Sequence, residues 1–239
     1  MIDAVIFDKD GTLFDFNATW GAWARVMIEG LADGEAEVLA ALSDVLGFDL
    51  ASARFRPGSI VIAETGEVVA AHIRKVLPGL DTEALRQRMN AAAVEVAQVE
   101  ATPLRPFFET LRAMGLSLGV ATNDAEGPAR AHLTRAGVLD HLDFIAGYDS
   151  GHGAKPGPGQ LLAFAKATGA DPARTLMVGD STHDLHAGRA AGMRTVGVLT
   201  GPALRAELAP EAEVVLASIA ELPDWIAGQR AAQGARHSA

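Results

Sequence analysis

The sequence predicts an α/β fold: a doubly wound parallel sheet with one all-helical cap domain inserted into it. Short, continuous apolar runs alternate with helix-length segments over most of the chain, whereas residues 16–99 carry helix patterns alone. Continuous apolar runs are typical of strands that are buried on both faces of a parallel sheet. Strands that alternate with helices are typical of a sheet covered by helices on both sides.

The sheet-forming part of the chain contains five expected strands and four expected helices. The apolar runs predict strands over residues 3–7, 117–121, 142–146, 175–178 and 194–198. The segments between them predict helices over residues 106–114, 125–136, 159–168 and 182–191. A glycine follows each of the last three helices closely, as is common where helices stop.

The insertion follows the first strand directly. Its patterns predict helices over residues 19–31, 36–46, 64–76 and 82–99. An insertion at this point lies above the carboxyl ends of the strands, where ligands bind in open α/β sheets, so it is expected to act as a lid. The expected organisation is as follows: a core of residues 1–15 and 100–228, a cap of residues 16–99, and a flexible, polar tail of residues 229–239.

Composition narrows the possible partners. The formal net charge is -10 and would repel a polyphosphate backbone, so we expect no nucleic acid partner. The absence of cysteine excludes a disulfide framework, a thiolate metal site and a cysteine nucleophile. The start of the chain does not resemble a signal peptide, and no stretch reaches about 18 apolar residues. We therefore expect no membrane partner, a cytoplasmic location, and a monomer or homodimer.

Two carboxylates stand at the end of the first strand. Asp8 and Asp10 lie in the stretch FDKDGTLFD, where Gly11 permits a tight turn. An ordinary Asp-Gly turn with solvated acids is the alternative explanation of this stretch taken alone.

A second acidic pair lies in MVGDSTHDLHAGRAAG, again at a strand end. Ser181 or Thr182 can cap the following helix, which accounts in part for Asp184 in its first turn. Helix capping gives no reason for Asp180 to stand at the end of the strand. Two acidic strand ends in one sheet predict an oxygen-rich Mg²⁺ site.

Three further polar residues follow in the chain. Thr122 and Asn123 end the apolar strand SLGVAT, and Lys155 lies in the loop GHGAKPGPG. Each is a weak signal alone, because Thr-Asn is common in turns and a loop lysine is usually solvated. A hydroxyl and an ammonium nevertheless suit a phosphoryl group.

Taken in this order, the stretches DKDGT, ATN, the Lys-Pro loop and GDSTHD resemble the haloacid dehalogenase-like hydrolase superfamily. The resemblance spans essentially the whole chain. It implies a Rossmann-like core with a helical cap inserted after the first strand. Within the superfamily, the chain looks most like phosphoglycolate phosphatases and related phosphatases of small metabolites.

The resemblance implies roles for the residues that contact the substrate. Asp8 is expected to be the nucleophile that forms an aspartyl phosphate, and Asp10 the general acid and base. Thr122, Asn123 and Lys155 are expected to bind the substrate phosphate.

The resemblance also implies a Mg²⁺ cofactor. Its expected ligands are the carboxylates of Asp8 and Asp180 and the backbone carbonyl of Asp10, with Asp184 either on the metal or beside its ligands. Lys9 departs from the family pattern, which often has an apolar residue between the two aspartates.

The expected function is therefore Mg²⁺-dependent hydrolysis of a small phosphorylated metabolite, either 2-phosphoglycolate or a sugar phosphate. A phosphomutase similar to β-phosphoglucomutase and a non-catalytic protein that binds a phosphorylated metabolite remain alternatives. A phosphoacceptor similar to response regulators is disfavoured by the helical insertion and by the second acidic pair. Asp10 argues against the dehalogenase branch, whose attack on carbon leaves no phosphate ester oxygen to protonate.

Several other polar and aromatic residues could face a substrate. We interpret Phe16 and Trp20 as packing between cap and core, and Arg54 and Arg56 as solvated surface. His183 is interpreted as a hydrogen-bonded scaffold residue near Asp180.

Overall fold

The computed structural model describes residues 2–56 and 58–237. Its strands are β1 (Ala4–Phe7), β2 (Phe48–Asp49), β3 (Arg54–Phe55), β4 (Ser117–Ala121), β5 (Phe144–Ala146), β6 (Thr175–Gly179), β7 (Arg194–Val198) and β8 (Val214–Leu216). Six of them form one parallel sheet in the order β5-β4-β1-β6-β7-β8. The carboxyl ends of β4, β1 and β6 therefore lie side by side at one edge.

Ten α-helices accompany these strands in the described part of the chain. They are α1 (Phe16–Ala32), α2 (Ala36–Val45), α3 (Gly66–Val76), α4 (Thr82–Glu95), α5 (Leu104–Ala113), α6 (Glu126–Arg135), α7 (Gly159–Thr168), α8 (Thr182–Ala190), α9 (Arg205–Leu208) and α10 (Leu222–His237). No helix among the described residues is both long enough and apolar enough to cross a membrane.

The sheet is buried on both faces, as its continuous apolar strands predict. Along β1, Val5 and Phe7 belong to a hydrophobic cluster that includes residues of α5 and α10. Ala4 and Ile6 belong to a second cluster, which includes residues of α7 and α8. Successive residues of a strand point to opposite faces, so helices cover the sheet on both sides. The predicted doubly wound α/β fold is confirmed.

Helices α1 to α4 form the insertion between β1 and α5. They share a hydrophobic core that includes Trp23, Ile28 and Leu42 and is separate from the two clusters of the sheet. The two connections to the sheet run side by side, because the backbone N–H of Asp15 donates to the carbonyl of Val99 at 2.8 Å. A helical cap thus follows β1 directly, at the carboxyl end of the sheet.

The structure adds three short strands and two helices, α9 and α10, to the predicted elements. The structure adds β8, three residues at the edge of the sheet, and the antiparallel pair of β2 and β3 in the cap, two residues each. Runs this short have no recognisable period in the sequence. The fourth cap helix was expected over residues 82–99 but ends at Glu95, and the following residues return to the core.

The last described element, α10, continues to His237, and its Arg230 contacts the core. The guanidinium donates to the carbonyl of Met114 at 2.9 Å and to that of Ile2 at 2.6 Å. Arg230 therefore anchors α10 to the core, and the flexibility expected of residues 229–239 stays a prediction.

Candidate active site

Three buried carboxylates meet at the carboxyl edge of the sheet. Asp8 follows β1 and Asp180 follows the neighbouring strand β6, while Asp184 lies in the first turn of α8. Carboxylate oxygens of the three residues all lie within 4.8 Å of one another. Buried carboxylates at this spacing could hold a metal ion.

Lys155 joins two of these carboxylates. Its Nζ donates to Oδ1 of Asp8 at 2.5 Å and to Oδ1 of Asp184 at 2.6 Å. Burial alone would lower the pKa of Lys155, but the charges of Asp184 and Asp8 raise it above its ordinary value. The ammonium is therefore charged. When all three carboxyl groups are ionised, they exceed the one ammonium by two negative charges, which matches a divalent cation.

Burial and mutual repulsion raise the pKa values of Asp8 and Asp180. Burial raises the pKa of Asp8 to about 7; Lys155 counteracts the shift, and the charges of Asp184 and Asp10 add to it. The pKa of Asp180 is also well above its ordinary value, because of burial and the charges of Asp8 and Asp184. A cation at this place would relieve the same repulsion, so the donor set fits a hard, oxygen-binding metal.

Glycines make room for the carboxylate of Asp180. A Cβ atom on Gly11 would lie 2.3 Å from Asp180 Oδ2, and one on Gly201 would lie 1.7 Å from the same atom. Gly11 also has φ +82°, a conformation that favours glycine. Sequence reasoning found Gly11 but missed Gly201. The signal available for Gly201 was its place before Pro202, three residues after the end of β7.

Asp184 serves both the start of α8 and the site. Its Oδ2 accepts from the backbone N–H of Ser181 at 3.0 Å and from the Ser181 hydroxyl at 2.7 Å. Its other oxygen, Oδ1, accepts from Lys155 at 2.6 Å. The helix-cap explanation of Asp184 is therefore correct in part, and the same cap fixes the carboxylate that holds Lys155.

Thr122 and Asn123 follow β4 and lie beside Asp8. The Thr122 oxygen accepts from the backbone N–H of Asp124 at 3.0 Å, and no acceptor for its proton occurs among the described residues. Asn123 Nδ2 donates to the Lys155 carbonyl at 2.9 Å and to the Ala63 carbonyl in the cap at 2.7 Å. Asn123 Oδ1 accepts from the Lys155 backbone N–H at 2.9 Å. The Asn123 side chain thus positions the lysine loop, and its contact with a phosphate stays a prediction.

Lys9, which stands between Asp8 and Asp10 in the sequence, is fully buried. Its Nζ is 2.9 Å from Asp10 Oδ2, 3.0 Å from Asp124 Oδ2 and 3.0 Å from Nδ1 of His132. It also lies 5.5 Å from the ring centre of Trp20 in the cap. Sequence reasoning noted Lys9 as a departure from the family pattern and assigned it no role. The missed signal was that a lysine directly after a buried strand needs acidic partners.

The charges around Lys9 explain its burial. Burial alone would lower the pKa of Lys9, but the charges of Asp10 and Asp124 raise it. Burial raises the pKa of Asp124, and the charge of Lys9 counteracts that shift. The contact with Asp124 is an ion pair rather than an aligned hydrogen bond. Lys9 therefore holds Asp10 in place beside the nucleophile candidate.

A cavity lies between the cap and the carboxyl edge of the sheet. On the core side, its lining includes Asp8, Asp10, Thr122, Asn123, Lys155, Asp180 and Asp184, which are all of the predicted site residues. Phe16 and Trp20 line its cap side besides packing there, and His183 also faces it. Arg56 is instead 50% exposed and pairs with Asp44, as expected for surface.

The geometry agrees with the family resemblance of the sequence. Residues 2–192 match the family described as haloacid dehalogenase-like hydrolase. The chain belongs to the haloacid dehalogenase-like hydrolase family. In this chain the buried acidic cluster, the lysine paired with it and the helical cap all border the same cavity.

Curated relatives of this haloacid dehalogenase-like hydrolase include phosphatases of different metabolites. A phosphoglycolate phosphatase of Neisseria meningitidis is 30% identical over 95% of this chain and 90% of that protein. An N-acetylmuramic acid 6-phosphate phosphatase of Pseudomonas aeruginosa is also 30% identical, over 84% of this chain and 83% of that protein.

A solved relative supports the same fold. The crystal structure of a HAD family hydrolase from Deinococcus radiodurans, described with bound phosphate and sodium, is 27% identical. It superimposes with a TM-score of 0.64 over 92% of this chain and 93% of that one.

Proposed function

We propose that the protein is a Mg²⁺-dependent phosphatase that hydrolyses the phosphomonoester of a small metabolite through an aspartyl phosphate on Asp8. The observation that carries this proposal is the contact of the Asp8 carboxylate with Lys155, within a buried acidic cluster that faces the cavity. The relatives named above act on 2-phosphoglycolate and on a sugar phosphate, and both classes are candidates for this chain.

The metal site is proposed to consist of the carboxylates of Asp8 and Asp180 and the backbone carbonyl of Asp10. Both oxygens of Asp184 already accept hydrogen bonds, from Lys155 and Ser181. Asp184 is therefore proposed to orient Lys155 beside the metal. Mg²⁺ bound there supplies positive charge that lets the anionic carboxylate of Asp8 approach an anionic phosphoryl group.

In the first half-reaction, an oxygen of Asp8 attacks phosphorus, and the bond from phosphorus to the ester oxygen breaks. The Asp10 carboxyl group gives its proton to the departing oxygen, which leaves as an alcohol. Thr122 and Lys155 hold the phosphoryl oxygens, so the residues contribute position and charge stabilisation. Lys9 contributes by fixing the carboxylate of Asp10.

In the second half-reaction, Asp10 acts as a base. Its carboxylate takes a proton from water, the water oxygen attacks phosphorus, and the bond from phosphorus to Asp8 breaks. The products are inorganic phosphate and a free Asp8 carboxylate, and Asp10 is protonated again. One side chain thus serves both steps without a further proton carrier.

The proposal is tested by phosphate release from a panel of phosphorylated metabolites, with Mg²⁺ and with EDTA. We expect hydrolysis that requires Mg²⁺, and Asp8→Asn is expected to lower kcat by a factor on the order of 10³ or more. Asp224→Asn, at an exposed aspartate of α10, is the matched control and should retain full activity.

Two results would contradict the proposal. Substantial turnover by pure Asp8→Asn protein would exclude Asp8 as the nucleophile. Isomerisation of a sugar phosphate without phosphate release would indicate a phosphomutase instead.

A further inference from the structure

The cap presents an apolar wall to the cavity. Trp20 and Trp23 of α1, Val69 of α3 and Met89 of α4 line it, and each is at least nine-tenths buried. The two indole rings meet edge to face, with centroids 5.3 Å apart. Because the phosphoryl-binding groups lie on the core side, this wall faces the part of the substrate that leaves as an alcohol.

In the described part of the chain, lysine and arginine charge lines the cavity only on its core side, where the phosphate is proposed to bind. Among the described residues, Lys155 is the only lysine or arginine on the lining, and its Nζ is held by Asp8 and Asp184. The seven lysine and arginine residues of the segment 16–99 are all described, and none of them lines the cavity. Lys9 lies outside the lining, and its ammonium is paired with Asp10 and Asp124.

The remaining polar groups near the wall suit a neutral ligand. Glu64, an exposed residue, lines the cavity together with the apolar side chains and contributes a carboxylate to it. The half-buried amide of Asn90 lines it too and has no hydrogen-bond partner in the part of the chain that the structure describes. A carboxylate here would lose hydration without gaining a cation and would be repelled by Glu64. Hydroxyl groups could instead bond to Asn90 and Glu64.

We infer that the substrate's leaving group is an uncharged, sugar-like alcohol with an apolar face, rather than a carboxylate-bearing one such as glycolate. The apolar face of the alcohol packs on Trp20 and Trp23, and its hydroxyls reach Asn90 and Glu64. This inference rests on the proposed phosphatase function, and among its candidate substrates it selects sugar phosphates that carry no carboxylate.

The test compares phosphate esters that differ in one group. The pairs are 2-hydroxyethyl phosphate with 2-phosphoglycolate, glycerol 3-phosphate with 3-phosphoglycerate, and glucitol 6-phosphate with 6-phosphogluconate. In each pair a hydroxymethyl group replaces a carboxylate on a leaving group of similar size. We expect kcat/KM to be at least tenfold higher for the neutral member, and highest for glucitol 6-phosphate.

A charge change at the wall gives a second readout. Glu64→Gln removes one negative charge and should raise kcat/KM several-fold for the carboxylate esters, with little change for the neutral ones. Glu67→Gln is the matched control, because Glu67 is exposed one residue into α3 and lies outside the lining. His183 is the other basic side chain on the lining, and His183→Gln shows whether its imidazole pairs with carboxylates.

The outcomes separate the two proposals. Preference for the neutral esters, with a selective gain in Glu64→Gln, supports the inference. Preference for the carboxylate esters overturns the inference but leaves the phosphatase function standing. If His183→Gln then loses that preference, the His183 imidazole is the group that binds the substrate carboxylate. Absence of hydrolysis for all six esters and for the rest of the metabolite panel overturns the phosphatase function itself.

Discussion

Nζ of Lys9 lies 3.0 Å from Nδ1 of His132, in the buried layer beneath the cavity. A lysine ammonium can only donate, so Nδ1 of His132 accepts and its Nε2 carries the proton. That Nε2–H donates to the carbonyl of Ala93 in the cap at 2.8 Å. A chain of hydrogen bonds therefore runs from Asp10 through Lys9 and His132 to the cap.

Replacing Lys9 should affect both stability and turnover. Lys9→Met keeps the length of the side chain but leaves the buried carboxylates of Asp10 and Asp124 without a cation. Removing one partner of a buried ion pair commonly costs about 3 kcal/mol or more of the free energy of unfolding. We also expect kcat to fall at least about tenfold, because Asp10 loses the group that fixes it. Urea unfolding and steady-state kinetics measure the two effects.

The double variant Lys9→Met with Asp124→Asn isolates the charge effect. Asp124→Asn removes one uncompensated carboxylate, so the pair should recover part of the stability lost in Lys9→Met. Lys75→Met changes an exposed lysine of the cap and should leave stability and kcat unchanged. Equal stability of Lys9→Met and the wild type would show that the buried ion pairs contribute nothing.

His132 should make stability depend on pH. Burial and the charge of Lys9 lower the pKa of His132 to about 4 in the folded state, against about 6.5 in the unfolded chain. Between these values the unfolded chain binds more protons, so the free energy of unfolding falls as the pH falls from about 6.5 to about 4. The loss between pH 7.5 and pH 5 should be about 2 kcal/mol from this group.

The variant His132→Gln separates this effect from the buried carboxyl groups, whose raised pKa values act in the opposite direction. It cannot titrate, so it should lose less stability than the wild type over the same pH interval. His186→Gln is the control, because the side chain of His186 is 52% exposed. Parallel pH profiles of urea unfolding for the wild type and His132→Gln would rule out His132 as the source.

The sequence predicts the position of the candidate active site because a parallel sheet brings the carboxyl ends of its strands together. Thr122, Asp8 and Asp180 follow β4, β1 and β6, which are neighbours in the sheet. Asp184 could be placed from its position in the first turn of the next helix, and the family pattern selected Lys155. These predictions depend on local signals and on strand adjacency.

The partners of Lys9 and the wall of the cap could not be predicted in the same way. Lys9 and His132 are 123 residues apart, and their contact depends on how α6 packs against the sheet. Trp23 and Met89 have the pattern of ordinary cap core, which they also join. They line the cavity because of how the whole cap is placed. This position does not change the hydrophobic periodicity of either helix, so the sequence does not reveal it.

Metal affinity should depend on pH through Asp8. Burial raises the pKa of Asp8 to about 7, and a metal must displace the proton from this carboxyl group before it binds. The apparent Kd for Mg²⁺ should therefore rise at least about tenfold from pH 8 to pH 6, and the raised pKa of Asp180, the other carboxylate ligand proposed, adds to the rise. Calorimetry in two buffers of different ionisation enthalpy should show proton release at pH 6. Asp8→Asn should bind more weakly and with less proton release, and a constant Kd over the interval would contradict the assignment.

Gly201 should be required for the position of Asp180. In Gly201→Ala the new Cβ would lie 1.7 Å from Oδ2 and 2.6 Å from Cβ of Asp180, so the whole side chain must move. Mg²⁺ affinity and kcat/KM should each fall at least about tenfold, since a displacement of about 1 Å at a catalytic group has effects of this order or larger. Gly127→Ala places a Cβ in open space on α6 and should stabilise the protein slightly, by up to about 1 kcal/mol. If both variants bind Mg²⁺ as the wild type does, Asp180 does not hold the metal in the position proposed for it.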